Sequence, residues 1–214
     1  MDYRRLYDYR FRRVDQAARA AVWVPISHFV YEQLGRPERV LDPAAGRFEF
    51  LNAVPSQERW GVDMAAHEKA ELRSGTKLIV SDVMDADLPP SHFDGVFVSN
   101  FLEHLPTPEA IHRFLRKMRD CTRGGGRIGV MGPNIRYCAD KYWDYADHEL
   151  ALTHVAVEEH LYAAGMRPTK TIPRFLPYSF RGLLPASPGL TRLYLRVRPA
   201  WWLLGKQYLV VAER

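Results

Sequence analysis

Four short segments of strand-like composition, separated by helix-like stretches, each end in an acidic or amide residue. They are RVLD (39–42), ERWGVD (58–63), KLIVSD (77–82) and FDGVFVSN (93–100). Strands of this length that alternate with helical segments indicate βαβ units and a mostly parallel sheet. The carboxyl ends of parallel strands meet at one edge of such a sheet, where ligands bind. The sequence therefore predicts an α/β fold with a polar ligand site at that edge.

Helical patterns fill most of the space between and around these strands. They cover residues 2–34, with a break near Pro25, and residues 48–54, 65–75, 108–121 and 154–164. Proline begins the 108–121 segment and Gly165 follows the last one, and both placements are typical of helix ends. Residues 132–154 are rich in aromatic side chains and predict irregular structure.

Three more strands complete the predicted sheet. They are expected over residues 124–131, around 168–174 and over 206–213. Because the chain ends on strand, insert and strand, we expect the last pair to form an antiparallel edge. The predicted fold is thus a doubly wound, mostly parallel, seven-stranded α/β sheet with an antiparallel last strand, in one domain over residues 1–214.

Composition is that of a globular protein in a reducing compartment. Hydrophobic residues make up 47% of the 214, and the two cysteines, Cys121 and Cys138, cannot build a disulfide framework. The N-terminal residues lack the apolar core of a secretory signal, and no apolar stretch reaches the roughly 20 residues that cross a bilayer. The expected location is the cytoplasm. The net charge is +5, with arginines concentrated near both ends of the chain.

The first two strand ends carry side chains that suit a nucleoside. Small residues at Ala44, Ala45 and Gly46 follow the first strand and allow the backbone to approach a ligand closely. Asp63 ends the second strand, and a carboxylate there can accept hydrogen bonds from both ribose hydroxyls. Asp42 serves either the ligand or the local structure, because a strand-end aspartate is often a helix cap.

The next two strand ends continue this pattern. After the third strand, Asp82 offers an acceptor for an adenine amine, and Val83 offers a backbone N–H for a ring nitrogen. After the fourth strand, Asn100 and Phe101 face the same cleft. Each feature alone is ordinary in α/β proteins, but four of them at successive strand ends predict a nucleoside site.

The ordered motifs VLDPAAGRFEF, WGVD, VSDVMDADLP, FDGVFVSNFLEHL and GGGRIGVMGPN resemble those of class I S-adenosylmethionine-dependent methyltransferases over residues 39–134. The resemblance implies a Rossmann-like fold and S-adenosylmethionine as the cofactor, with S-adenosylhomocysteine as its product. It divides the chain into a helical lid (1–35), a cofactor-binding core (36–134), a substrate-side insert (135–205) and a last strand (206–213). It also implies a set of cofactor contacts: Ala44, Ala45 and Gly46 at the methionine part, Asp63 at the ribose, Asp82 and Val83 at the adenine, Asn100 and Phe101 at the sulfonium, and Asp42 and Met64 beside them.

The glycine-rich turn of the family is altered in this chain. Ala44 and Phe48 stand at positions where relatives usually have glycine. Phenylalanine tolerates positive φ poorly, so Phe48 either turns into the core or narrows the pocket. A dinucleotide-binding dehydrogenase would need a helix start free to bind pyrophosphate, and Phe48 and Glu49 at that place argue against one.

Methyl transfer to an alcohol requires an aligned acceptor and a base for its proton. The candidate catalytic residues are His148, with the adjacent Asp147 as a dyad partner, and His104 in LEHL, for which a capping role stays open. His154 is interpreted as the start of a helix. The sequence predicts no metal site.

The predicted acceptor is a small molecule. Aromatic residues over 137–148 suit a sugar, a glycan intermediate or a secondary metabolite, and O-methylation is the preferred reaction. A cofactor-binding homologue with little turnover and an RNA or protein methyltransferase remain alternatives. Nucleic acid is not expected, since SNFL (99–102) replaces the signature of base N-methylation. Arginines and aromatic residues over 174–205 fit an anionic membrane surface, a homodimer face or packing on the sheet.

Overall fold

Two helices precede the sheet in the computed structural model, which describes residues 3–64, 71–178 and 187–214. They are α1, Tyr3–Phe11, and α2, Gln16–Gln33. The predicted break near Pro25 is wrong. The two helices are instead separated at residues 12–15, where the Asp15 side chain caps α2 by accepting a hydrogen bond from the Ala18 N–H at 3.1 Å. Pro25 lies inside α2, whose buried face compensates for the one hydrogen bond that a proline removes.

Seven strands form one sheet with the order β3-β2-β1-β4-β5-β7-β6. Their bounds are Arg39–Asp42 (β1), Glu58–Asp63 (β2), Thr76–Val80 (β3), Phe93–Ser99 (β4), Thr122–Pro133 (β5), Arg167–Ile172 (β6) and Gln207–Glu213 (β7). Strands β1 to β5 pair in parallel, whereas β7 is antiparallel to both β5 and β6. The predicted fold class, including the antiparallel edge, is confirmed.

The other helices flank this sheet. They are α3 (Glu49–Ala53), α4 (Pro108–Cys121), α5 (Ile135–Tyr142), α6 (His154–Ala163), α7 (Pro188–Arg196) and α8 (Arg198–Leu204), with a 3₁₀ turn at Leu102–His104. The predicted helix over 108–121 is confirmed to the residue; Thr107 caps it by accepting from the Ala110 N–H at 3.2 Å. None of the described helices is long and apolar enough to span a membrane.

Two further predictions of secondary structure are wrong. A helix was predicted over residues 65–75, but residues 71–75 are not helical. Residues 65–70 of that prediction and residues 179–186 of the predicted insert lie outside the described ranges. Helix α5 occupies part of the segment that was expected to be irregular. It is interrupted by non-helical backbone at Cys138, and Cys138 and Tyr142 are buried. The kink divides the helix into two short pieces, which the sequence interpretation took for irregular structure.

Two apolar cores lie on opposite faces of the sheet. One contains Phe114 of α4 and Leu161 of α6, and the other contains Ile26 of α2 and Leu195 of α7. Helices on both faces make the sheet doubly wound. The strand order reverses between β1 and β4, so their carboxyl ends form the crevice where ligands of such sheets bind.

Candidate active site

A cavity of about 410 Å³ opens at the carboxyl ends of β1 and β4. The helices α1 and α2, the turn after β1, the 3₁₀ turn after β4 and residues 145–148 contribute to its walls. Seven residues that the sequence singled out line it: Asp42, Ala44, Ala45, Gly46, Asn100, His104 and His148. The topology thus gathers the predicted methionine-side residues and both candidate histidines around one space.

The turn after β1 is built for close approach of a ligand. Gly46 has φ +51°, and a Cβ there would find its nearest atom, the Ala44 carbonyl oxygen, only at 4.0 Å. Phe48 has φ +67° and is 2% exposed. Its side chain therefore turns into the core between α2 and the sheet and does not narrow the cavity. The left-handed backbone at a bulky residue costs about 1–2 kcal/mol, which core packing offsets.

Carboxylates surround this turn. Asp42 is 2% exposed, and burial, with nearby Asp63 and Glu49, raises its pKa to about 8 despite a hydrogen bond from the Ala44 N–H. Asp63 Oδ2 accepts a hydrogen bond from the Gly46 N–H at 2.7 Å. Burying acids together is unfavourable unless a cation compensates. A ligand that brings positive charge to the turn therefore fits these residues.

The other predicted cofactor residues occupy different surroundings. Met64 is 66% exposed, Val83 is buried in the core, and the Phe101 ring packs 4.9 Å from that of Phe114. Asp82 accepts a hydrogen bond from the Met84 N–H at 2.8 Å and so orders its own turn. Among the described residues these four and Asp63 do not line the cavity. Their contacts with ribose and adenine stay predictions.

Asp147 supports His104 from the opposite wall. The Asp147 carbonyl oxygen lies 2.7 Å from His104 Nδ1, and its carboxylate oxygen lies 3.5 Å from the same atom. The carboxylate also forms an ion pair with Arg10 of α1. Asp147 was expected to pair with its neighbour His148. The structure instead pairs it with a histidine 43 residues away in the chain.

His148 lies in an aromatic environment beside His104. The two imidazole rings are 5.1 Å apart, and the Tyr145 ring stacks on His148 at 5.2 Å. Burial, with the nearby His104, lowers the pKa of His148 to about 4, so its imidazole is neutral at pH 7. Its Nδ1 is buried and has no hydrogen-bond partner among the described residues.

Glu103 is a functional candidate that the sequence reasoning missed. It is 1% exposed and lines the cavity, and its Oε2 has no hydrogen-bond partner among the described residues. Burial raises its pKa to about 7. The indication that the sequence offered for Glu103 was its position in LEHL, directly before His104. His154, in contrast, contacts the Asn134 side chain at 2.9 Å and begins α6, as interpreted from the sequence.

Comparisons with known proteins agree with this architecture. A family model described as a methyltransferase domain matches residues 28–130. A SAM-dependent methyltransferase from Archaeoglobus fulgidus superposes with a TM-score of 0.66 at 21% identity, over 100% of both chains. A 1,6-didemethyltoxoflavin-N1-methyltransferase from Burkholderia thailandensis, solved with S-adenosylhomocysteine, gives a TM-score of 0.61 at 21% identity, over 98% of this chain and 83% of that one.

Acceptors differ widely among such structural neighbours. A geranyl diphosphate C-methyltransferase from Streptomyces coelicolor A3(2) gives a TM-score of 0.63 at 13% identity, covering 88% of this chain and 76% of that one. The identities are too low to transfer a substrate, so these likenesses show the fold. No curated protein sequence matches the chain.

The strand order and the crevice at β1 and β4 place this fold in the Rossmann-like class of α/β folds. The methyltransferase-domain model matches just under half of the chain, and solved S-adenosylmethionine-dependent methyltransferases share its fold. The cofactor that the sequence resemblance implies is S-adenosylmethionine. The turn fits this cofactor, because open space beside Gly46 and the acids around it suit a compact group that carries ammonium and sulfonium charges.

Proposed function

We propose that the protein transfers a methyl group to a hydroxyl of a small-molecule acceptor, such as a sugar, a glycan intermediate or a secondary metabolite. The observation that carries this proposal is the cavity shared by the β1 turn and the Glu103, His104 and His148 side chains. Groups able to take a proton lie there beside the turn proposed for the cofactor. Aromatic rings of Tyr145 and Tyr178 supply a wall suited to a ring-shaped acceptor.

The residues proposed to hold the cofactor follow the strand ends. Ala44, Ala45 and Gly46 would bind its methionine part with Asp42 beneath them, and Asp63 would bind the ribose. Asp82, Val83 and the exposed Met64 would surround the adenine, with Asn100 and Phe101 on the sulfonium side. The bound cofactor supplies an electrophilic methyl group, and the chain must orient it and exclude water.

His104 is the proposed base. The carbonyl oxygen of Asp147 can only accept, so the hydrogen bond at 2.7 Å fixes the proton on His104 Nδ1 and leaves Nε2 with a free lone pair. The acceptor hydroxyl proton passes to Nε2 as the new O–C bond forms and the S–C bond breaks. The Asp147 carboxylate oxygen, 3.5 Å from Nδ1, helps to keep the ring in this orientation. His148, neutral at pH 7, would position the acceptor beside it.

Calorimetry tests the cofactor site. S-adenosylmethionine and S-adenosylhomocysteine should bind the protein at micromolar concentrations, and Asp63→Ala should abolish this binding. Asp82→Ala should weaken it by about 1–3 kcal/mol, the cost of an adenine amine left without its acceptor. Asp85→Ala, on the same exposed turn, is the matched control and should bind normally. Failure of the well-folded wild type to bind either compound would refute the proposal.

Turnover assays test the acceptor side. Release of S-adenosylhomocysteine is measured with panels of free sugars, nucleotide sugars and phenols. His104→Asn should abolish turnover, and His148→Ala should reduce it, while both keep wild-type affinity for the cofactor. Equal loss of affinity and turnover would contradict their roles. Binding without turnover, or turnover on RNA or protein alone, would favour the alternatives of an inactive homologue or a macromolecular acceptor.

A second surface is proposed as the partner contact. No acidic residue occurs from His160 to Ala212, a stretch with eight lysines and arginines. On α7 and α8 this stretch exposes Leu193 (59%), Trp202 (75%) and Leu203 (72%). Apolar side chains among arginines suit an anionic membrane surface. With Cys121 and Cys138 both free, we propose a cytoplasmic protein that binds such membranes peripherally.

Vesicle sedimentation tests this surface. The protein should sediment with vesicles of phosphatidylcholine and phosphatidylglycerol, and not with phosphatidylcholine alone. A Trp202→Ala, Leu203→Ala double variant should lose binding. Tyr162→Ala, which removes a ring that is 74% exposed on α6, should retain it. If the wild type does not bind vesicles but dimerises as its concentration rises, and the double variant does not dimerise, the partner of this surface is a second copy of the chain and not a membrane.

A further inference from the structure

We propose that Glu103, His104 and His148 bind a divalent transition-metal ion, of the Zn²⁺ or Mn²⁺ type, in the cavity beside the methyl-transfer position. The proposal rests on the proposed function: the ion would hold the acceptor oxygen, and His104 Nε2 would bind the ion instead of taking the proton. No local pattern of residues indicates this site, since the histidines are 44 positions apart and form no local ligand motif.

The three side chains are close enough to share an ion. One ligand atom from each lies within 4.8 Å of the others, and Glu103 Oε1 is 3.9 Å from His104 Nε2. Ligands at about 2.0–2.2 Å from a metal ion lie roughly 3–4 Å from one another. Small rotations of the side chains would therefore complete the site, without movement of the 3₁₀ turn.

Two polar atoms in this cluster lack partners. Glu103 Oε2 and His148 Nδ1 are buried, and neither has a hydrogen-bond partner among the described residues. Buried polar atoms are nearly always paired, so an unpaired carboxylate oxygen on a residue that is 1% exposed calls for a ligand. A cation that touches both residues would satisfy the carboxylate and use an imidazole lone pair.

The surroundings of His104 match those of a metal-binding histidine. Its Nδ1 is held by the Asp147 carbonyl oxygen at 2.7 Å, which directs Nε2 toward Glu103. Metal-binding histidines usually have their second nitrogen fixed by such a contact. The His148 ring lies 5.1 Å from the His104 ring, and both residues line the cavity.

The local charge also suits a divalent cation. Glu103 and Asp147 contribute two carboxylates, and Arg10, paired with Asp147, contributes one positive charge. With both carboxylates ionised, these groups sum to −1 before an ion binds. Two imidazole nitrogens and one carboxylate suit Zn²⁺, Mn²⁺ or Fe²⁺ and leave coordination positions open. An ion there would lower the pKa of a hydroxyl placed against it, and the proton would pass to water.

Calorimetric titration of tag-free, chelator-treated protein with ZnCl₂ and MnCl₂ tests the site. One ion per chain should bind, and Glu103→Gln and His148→Ala should each weaken binding at least about tenfold. His28→Ala, which removes an exposed histidine on α2, should leave it unchanged. Retained S-adenosylmethionine binding verifies that each variant is folded. No binding to the wild type, or equal binding by all variants, would overturn the proposal.

Turnover with a chelator separates this inference from the proposed function. Chelation should remove methyl transfer and added Mn²⁺ or Zn²⁺ should restore it, while S-adenosylmethionine binding stays intact. Full turnover in the chelator would overturn the metal site and leave His104 as the base. Stoichiometric metal binding by a protein that does not bind S-adenosylmethionine would instead refute the proposed function alone.

Discussion

Glu103→Gln should stabilise the metal-free protein, although it removes a group proposed for catalysis. The Glu103 carboxyl is 1% exposed and its pKa is raised by burial from 4.5 to about 7. A folded-state pKa above the unfolded value means that stability is fully present below pH 4.5 and is lost as the pH rises through 7. A shift of this size corresponds to about 3 kcal/mol at pH 8. Glutamine keeps the volume and stays neutral at every pH, so it avoids this loss.

Urea unfolding followed by tryptophan fluorescence measures the effect, in chelator and without cofactor. We expect Glu103→Gln to raise the free energy of unfolding by about 3 kcal/mol at pH 8 and by less than about 1 kcal/mol at pH 5. Glu159→Gln, at an exposed site on α6, should change it by less than about 0.5 kcal/mol at either pH. A gain independent of pH, or a loss at pH 8, would show that the carboxyl is not buried as described.

Three other substitutions test the fold by chemical denaturation. Phe48→Ala should lower the free energy of unfolding by about 3–5 kcal/mol through lost packing. Because Phe48 has φ +67°, Phe48→Gly should lower it by about 1 kcal/mol less. A glycine variant less stable than the alanine variant would contradict the left-handed backbone. Although burial opposes it, hydrogen bonds from Arg39 and Arg123 lower the pKa of Asp94 to about 2. Asp94→Asn should therefore lower the free energy of unfolding by about 1–2 kcal/mol at pH 7, allowing for solvent screening, and by clearly less as the pH falls toward 2. A loss that does not change with pH would refute the ion pairs. Gly205→Ala should cost about 1–3 kcal/mol, because a Cβ would overlap the carbonyl oxygens of Arg174 and Trp201, and a neutral result would exclude that approach.

The sequence predicts well those features that local patterns encode. The bounds of β1, β2 and α4 follow from short apolar runs, strand-end acids and a Thr-Pro start, all read within a few residues. The crevice also follows, because parallel strands put their carboxyl ends together. The failures need information from distant contacts. Whether Asp15 or Pro25 interrupts the first helices depends on what the buried face of α2 packs against.

Only part of the candidate site could be predicted from the sequence. Ala44, Ala45, Gly46 and Asn100 follow strands directly, so the topology alone carries them to the cavity. Glu103 escaped notice because only its burial makes it unusual among the acids of the chain. The pairing of Asp147 with His104 depends on how residues 145–148 fold back over the 3₁₀ turn, and no periodicity reports that.

The ion pair between Arg10 and Asp147 joins the first helix to the residues that wall the cavity. Any displacement of α1 that widened the entrance would separate this pair, and Asp147 would lose the contact that helps to hold it against His104. If His104 is the base proposed above, loss of this contact would stop proton transfer whenever the entrance opens to exchange the cofactor. Such coupling would restrict reactive chemistry to the closed pocket and would link the dissociation rate of S-adenosylhomocysteine to the identity of residue 147.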